Sequence, residues 1–214
     1  MRKTQINYFD AGLFDGEEIA MMLEIAQELN MEIKVFGFEA NPELAEQVKQ
    51  RFAGHDNVSI FPVALSRTPG LGRLYLNPNR LGSSLYKDKN NVQKGKEWIP
   101  IQQHRLTDTL PVCIKDPWHF NILKMNIEGA ELEVLKDLEE RFLLEYFDLY
   151  LGDGSGEAGY CIDLYKIPSR TDLVNETTEL MRRYGLSVLR FSSSSPHKND
   201  DVKTTIETGL NANT

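Results

Sequence analysis

The strongest constraint on this chain comes from one stretch near its start. Gln5-Ile6-Asn7-Tyr8-Phe9-Asp10-Ala11-Gly12-Leu13-Phe14-Asp15-Gly16 opens with apolar alternation around Ile6, Tyr8 and Phe9, then has an acid and two glycines four residues apart. From Glu17 to Asn30, the residues Ile19, Met22, Leu23, Ala26 and Leu29 share one helical face. Strand, glycine turn, helix is the first crossover of a nucleotide-binding α/β sheet. Gly12 and Gly16 allow a tight turn and a close approach to a ligand that a Cβ would block. Glu17 and Glu18 suit the first helical turn, where free N–H groups favour negative charge. Ile33–Phe38 reads as a second strand ending in Glu39, and Asn41-Pro42 opens a second helix. In open parallel sheets ligands sit at the carboxyl ends of strands, and an acid at the tip of the second strand holds ribose hydroxyls. Glu39 stands 23 residues beyond Gly16. The expectation is a nucleoside-containing cofactor.

The remaining pattern continues the alternation of strands and helices. Leu44, Ala45, Val48 and Phe52 face the core from the second helix, which Gly54 ends. Asn57–Phe61 is a third strand running on to Pro62–Ser66, and Pro69-Gly70 and Gly72 are turn signals before Arg73–Leu76. Between Asn77 and Glu97 periodicity fails, with Leu81, Leu85 and Tyr86 as apolar anchors; a loop of that length in a compact domain reads as a mobile lid. Trp98–Gln102 resumes a strand that pairs with Arg73–Leu76 as an antiparallel insertion, and Arg105–Leu110 is a short helical turn. Phe120–Ile127 is a buried strand ending in Glu128-Gly129, and Leu132, Leu135, Leu138 and Phe142 line the next helix. Phe147–Leu151 is a further strand, followed by the Gly152–Gly156 loop. Leu173, Leu180, Met181 and Tyr184 mark a helix with Gly185 at its C′ position. Leu186–Phe191 is a strand, Ser192–Asp201 a loop, and Val202–Glu207 a last edge strand before a polar tail at 208–214. The whole of 1–214 reads as one doubly wound α/β domain.

Composition limits the partners. A length of 214 residues, 41% hydrophobic and 26% charged, supports a normal core without staples. The net charge of −8 argues against a general nucleic-acid or anionic-membrane surface. Cys113 and Cys161 stand far apart without CxxC or a Cys/His cluster, so neither a disulfide framework nor a zinc or other metal site is expected, and a reducing cytoplasm fits. The polar start lacks an apolar signal core, and no run approaches the ~18 apolar residues of a membrane span.

Several segments together resemble the FkbM family of S-adenosylmethionine-dependent methyltransferases. They are Phe9-Asp10-Ala11-Gly12 with Gly16, Phe38-Glu39-Ala40-Asn41-Pro42, Val63-Ala64-Leu65-Ser66, Gly82-Ser83-Ser84-Leu85, Arg105-Leu106-Thr107-Asp108, and Leu123–Glu131. Each alone is weak; in the family's order over residues 6–140 they are specific. The resemblance implies a mostly parallel seven-stranded Rossmann-like sheet, with the first strand beside the one ending at Asn126–Glu128. It implies S-adenosylmethionine as cofactor, the Asp10, Gly12 and Gly16 loop facing its methionine part. Glu39 would take the ribose hydroxyls, Asn41 would follow it, and Ala64, within Pro62–Leu65, would border the adenine. The acceptor would be a small-molecule or glycan hydroxyl. Where the family usually has Asp, this chain has Asn126, an amide that keeps size and hydrogen bonding but loses charge.

Methyl transfer to a hydroxyl needs alignment and benefits from a base. Glu128 ranks first as that base, with a helix-stabilising acid as its alternative reading. Lys124 alternates with buried Leu123 and Met125, and is either a site residue, as a base only if its pKa is depressed, or half of a structural ion pair. Asn126 completes the catalytic set. Asp153 and His104 are further candidates, while His119, Trp98, Trp118, Ser83 and Ser84 read more simply as packing or surface residues. Two other functional readings stand beside the first. A nicotinamide-dependent oxidoreductase shares the strand–glycine–helix unit but requires a third glycine that is missing here. A non-catalytic module with the methyltransferase fold is suggested by Asn126. Acceptor, metal dependence and oligomeric state have no readable code in the chain.

Overall fold

Burial on both faces makes the first strand the centre of the sheet. In the computed structural model, which describes residues 4–78, 82–90, 92, 97–110, 116, 118–193 and 199–211, all seven residues of Gln5–Ala11 are buried. In chain order the elements are β1 (Gln5–Ala11), α1 (Glu17–Glu28), β2 (Glu32–Phe38), α2 (Pro42–Arg51), β3 (Val58–Phe61), β4 (Ala64–Leu65) and β5 (Gly70–Tyr75). They continue as β6 (Trp98–His104), β7 (His119–Met125), α3 (Glu131–Glu140), β8 (Leu149–Gly152), α4 (Thr171–Arg183), β9 (Val188–Arg190) and α5 (Asn199–Asn211). A strand covered on both sides can be apolar throughout rather than alternating. On one face Ile6 and Tyr8 pack with Ile19 and Met22 of α1 and with Val202 and Ile206 of α5. On the other, Phe9 and Ala11 pack with Leu132 and Leu135 of α3 and Leu180 of α4. The chain is doubly wound.

The main sheet has the order β3-β2-β1-β7-β8-β9, with every described pairing parallel. Strand order reverses between β1 and β7, and a crevice opens outside the carboxyl ends of such a pair. A second, smaller sheet runs β4-β6-β5. Its β5–β6 pair is antiparallel, as expected of the insertion, but Ala64 and Leu65 of β4 join β6 in parallel, so the small sheet is mixed.

The expected seventh strand is a helix. Val202, Ile206 and Leu210 are buried at a spacing of four, while Thr204, which a strand would turn inward beside them, is exposed. A short window containing only Val202 and Ile206 fits either period; Leu210 decides for the helix. Thus the main sheet has six strands among the described residues, and 208–211, expected as polar tail, is helix. Of the expected lid, Leu81 lies outside the described residues, as does Cys113. None of the described helices is long and apolar enough to cross a membrane.

Because α5 closes one face of the sheet through Ile206, which has no exposed surface, Ile206→Ala should cost about 2–5 kcal/mol of folding stability, read as a lower urea midpoint at unchanged slope.

Candidate functional site

At the carboxyl ends of β1, β2 and β7 the chain encloses a cavity with about 770 Å³ of empty space, open mouth included. Its wall includes Ala11, Gly12 and Phe14 at the end of β1, Phe38, Glu39 and Asn41 at the end of β2, and Asn126, Ile127 and Glu128 after β7; Leu44, Val63, Ala64, Leu65, Leu74 and the stretch Gly82–Leu85 also line it. Of the residues singled out from sequence, the structure brings Gly12, Glu39, Asn41, Ala64, Asn126 and Glu128 to one cavity. Asp10, Gly16 and Lys124 stand behind it.

Asp10 and Lys124 are direct partners in the β1–β7 register, on one face of the sheet. Both side chains are sealed from solvent, and Lys124 Nζ lies 2.9 Å from Asp10 Oδ1. The same ammonium donates to the Gly12 carbonyl at 2.9 Å, and Tyr8 Oη donates to Asp10 Oδ2 at 3.1 Å. Burial pulls the Lys124 pKa down, but Asp10 and Glu18 more than offset it and the ammonium is held above its ordinary value. Lys124 therefore fails the condition for a base and serves as a structural cation under the glycine turn. Gly12 has φ 85°, and a Cβ there would lie 2.0 Å from the Asn126 carbonyl oxygen. The glycine thus answers first to a neighbouring strand, which approaches it closely. Gly16, the left-handed N-cap of α1, packs against Phe52 and Val48, away from the cavity.

Glu39 is buried, with Oε1 accepting from Asn41 N at 2.8 Å and Oε2 from Phe14 N at 3.1 Å. Burial raises its carboxyl above the ordinary range, and those two N–H groups pull the other way. A carboxylate has about four lone-pair positions, so two remain for a ligand. Asn41 Oδ1 caps α2 by accepting from Glu43 N at 3.0 Å, and Pro42 follows at the first turn. That gives Asn41 a helix-capping duty beside its place in the wall.

The turn after β7 is held by Glu131, the last residue of the Leu123–Glu131 segment. Its buried carboxylate accepts from Ile127 N at 2.8 Å and Gly129 N at 2.9 Å. Burial and the nearby charge of Asp163 push its pKa up to about 7. Within this turn Glu128 takes φ 61°, and across the cavity Phe14 takes φ 51°. Left-handed backbone at a non-glycine residue is costly and persists where surrounding contacts impose it. Ser84 Oγ donates to the Glu128 carbonyl at 2.8 Å, and Ser84 exchanges backbone hydrogen bonds with Tyr75 at 2.8 and 3.0 Å. The described part of the expected lid is thus docked onto β5 and the Glu128 turn. Another family segment has a structural explanation: Thr107 N and Oγ1 donate to the buried Asp137 of α3 at 3.1 and 2.9 Å.

Other candidates lie elsewhere. His119 begins β7 at the opposite end of the sheet and contacts Asn7 Nδ2 at 3.2 Å. His104 is exposed at the end of β6, Asp153 is half-buried outside the cavity wall, and Trp98 stacks beneath the Arg73 guanidinium at 4.4 Å. The missed residues are Glu131, Lys89 and Asp163. Only Glu131 had a local signal, an acid closely following a Glu-Gly turn; the others approach from distant parts of the chain.

Removing the lysine tests the buried pair. Lys124→Met should cost about 3–5 kcal/mol, because an unpaired carboxylate remains buried. Asp10 is already raised by burial, with Lys124 opposing, so without the cation its folded pKa rises further. A carboxyl raised on folding contributes stability at low pH that is lost as pH climbs from the unfolded to the folded value. The deficit of Lys124→Met in urea titrations should accordingly be smaller at pH 5 than at pH 8.

A family model described as the methyltransferase FkbM domain matches residues 10–185. No curated protein matches the chain. Among solved structures, the crystal structure of a methyltransferase FkbM from Methylobacillus flagellatus KT aligns with a TM-score of 0.49 at 13% identity, covering 85% of this chain and 37% of that one. The chain thus spans little more than a third of that protein's length. Since one family model extends over most of its residues, the chain belongs to the methyltransferase FkbM domain family.

Proposed function

We propose that the chain is an S-adenosylmethionine-dependent methyltransferase whose acceptor is a hydroxyl of a sugar, glycan or small metabolite. The observation that carries this reading is Glu39, a buried carboxylate in the wall of the switch-point cavity, with both oxygens pre-set by backbone N–H groups. A vicinal diol donates two hydroxyl protons, which suits the acceptor sites left on that carboxylate. Beside it, Phe38, Leu44, Val63, Leu65 and Leu74 offer an apolar wall for a planar base. Ala11, Gly12 and the Asn126 amide line the wall beside the turn after β1. These residues fit the adenosyl donor.

When bound, the donor supplies a methyl group already activated by a sulfonium. What remains for the chain is to align the acceptor, exclude water and accept one proton. Lys124 is ion-paired and protonated, and Asn126 is an amide, so neither takes that proton. Glu128 is the carboxylate at the cavity wall with partial exposure. It receives the hydroxyl proton, and Gly82–Leu85 close the wall against solvent.

Titration calorimetry with S-adenosylmethionine and S-adenosylhomocysteine, with NAD as control, tests the donor. Glu39→Gln should weaken adenosyl binding roughly 10- to 100-fold, the loss of about 1.5–3 kcal/mol from charged hydrogen bonds; equal affinity in wild type and variant would remove Glu39 from the site. In a screen of sugar acceptors, Glu128→Gln should retain donor binding while turnover drops about 10²- to 10⁴-fold. Unchanged turnover in that variant would place the base elsewhere.

A further inference from the structure

Lys89 has no exposed surface. Its ammonium is ion-paired with Glu128 Oε2 and lies 3.1 Å from Asp163 Oδ1. Asp163, also buried, takes Lys166 Nζ at 2.8 Å, and the charge of Asp163 reaches buried Glu131. Two lysines therefore face three carboxylates, of which Glu128 alone lines the cavity. Burying an ammonium carries a desolvation cost that a methionine in the same slot would avoid. Nor is the charge required to hold this part of the chain in place. Ser84 Oγ already bonds the Glu128 carbonyl, Asn90 N donates to the Lys166 carbonyl at 2.8 Å, and Ser169 Oγ donates to Asp88.

We infer that Lys89 is a positioning residue for Glu128: it fixes the carboxylate through Oε2 and leaves Oε1 for the acceptor's hydroxyl. The inference rests on the acceptor-side role of Glu128 proposed above. It adds that the cation comes from the same segment as the cavity wall, since Lys89 lies just beyond Gly82–Leu85. Docking of that segment and placement of the base are one event. Asp163 keeps the ammonium in the slot.

The test follows the Glu128 carboxyl carbon and the Lys89 ε-carbon by NMR across pH in the free protein. Lys89→Met should raise the Glu128 midpoint by about one pH unit, the effect of removing an adjacent cation. Asp88→Asn, which cuts only a surface tie of the same segment, should leave that midpoint in place. Coupling between two sites is reciprocal, so Glu128→Gln should lower the Lys89 midpoint by a similar amount. Glu128 is partly exposed, so this second variant decides the matter if Lys89→Met does not fold. A Glu128 midpoint unmoved in Lys89→Met, or a Lys89 midpoint unmoved in Glu128→Gln, overturns the inference. Neither titration needs the donor, whereas S-adenosylhomocysteine calorimetry tests the donor reading alone, so the two failures are distinguishable.

Discussion

Asp10 and Lys124 meet across the two central strands without access to water, and the lysine's other bond runs to the carbonyl of Gly12. Inside a protein an ion pair of this kind is poor evidence of extra stability, because desolvating two charges offsets most of their attraction. Its value here is geometric. One ammonium ties together the tips of β1 and β7 and the first residue of the turn, where Gly12 passes so close to Asn126 that no side chain fits. Everything that lines the cavity near its floor hangs from that junction.

Above it, three carboxylates are placed by backbone N–H groups or lysines. Glu39 is set by Phe14 and Asn41, Glu131 by Ile127 and Gly129, and Glu128 by Lys89. The first two shape turns, and in doing so they impose the left-handed backbone at Phe14 and hold the turn in which Glu128 is left-handed. Local strain of this kind is tolerated where several contacts over-determine the conformation. The same contacts leave Glu39 and Glu128 in one cavity wall.

How much of this could be read from the chain depended on the range of the interactions. Strand β1, the glycine turn and α1 follow from neighbouring residues, because the 2.0 and 3.6 periods and the steric freedom of glycine are local properties. So does Asn41-Pro42 opening α2. Val202–Glu207 reads as a strand because Val202 and Ile206 satisfy both periods, and packing against Ile6 and Tyr8 decides for the helix. The family resemblance assigns Asp10 and Gly16 to the ligand loop. The Asp10 side chain faces Lys124, and the Gly16 backbone passes so close to Phe52 and Val48 that a Cβ would meet them.

By itself the sequence determined the alternating α/β plan, the family segments and the acid at the end of β2, all of them consequences of short-range pattern. Only the tertiary structure decided which charged groups share a space. Lys89, Glu128 and Asp163 belong to three separate segments, and no periodicity relates them. Lys124 could be told from a base only once Asp10 stood opposite it in register. The reason is the same in each case. Whether a buried charge is tolerated, and what it does, depends on partners that burial brings within a few ångströms.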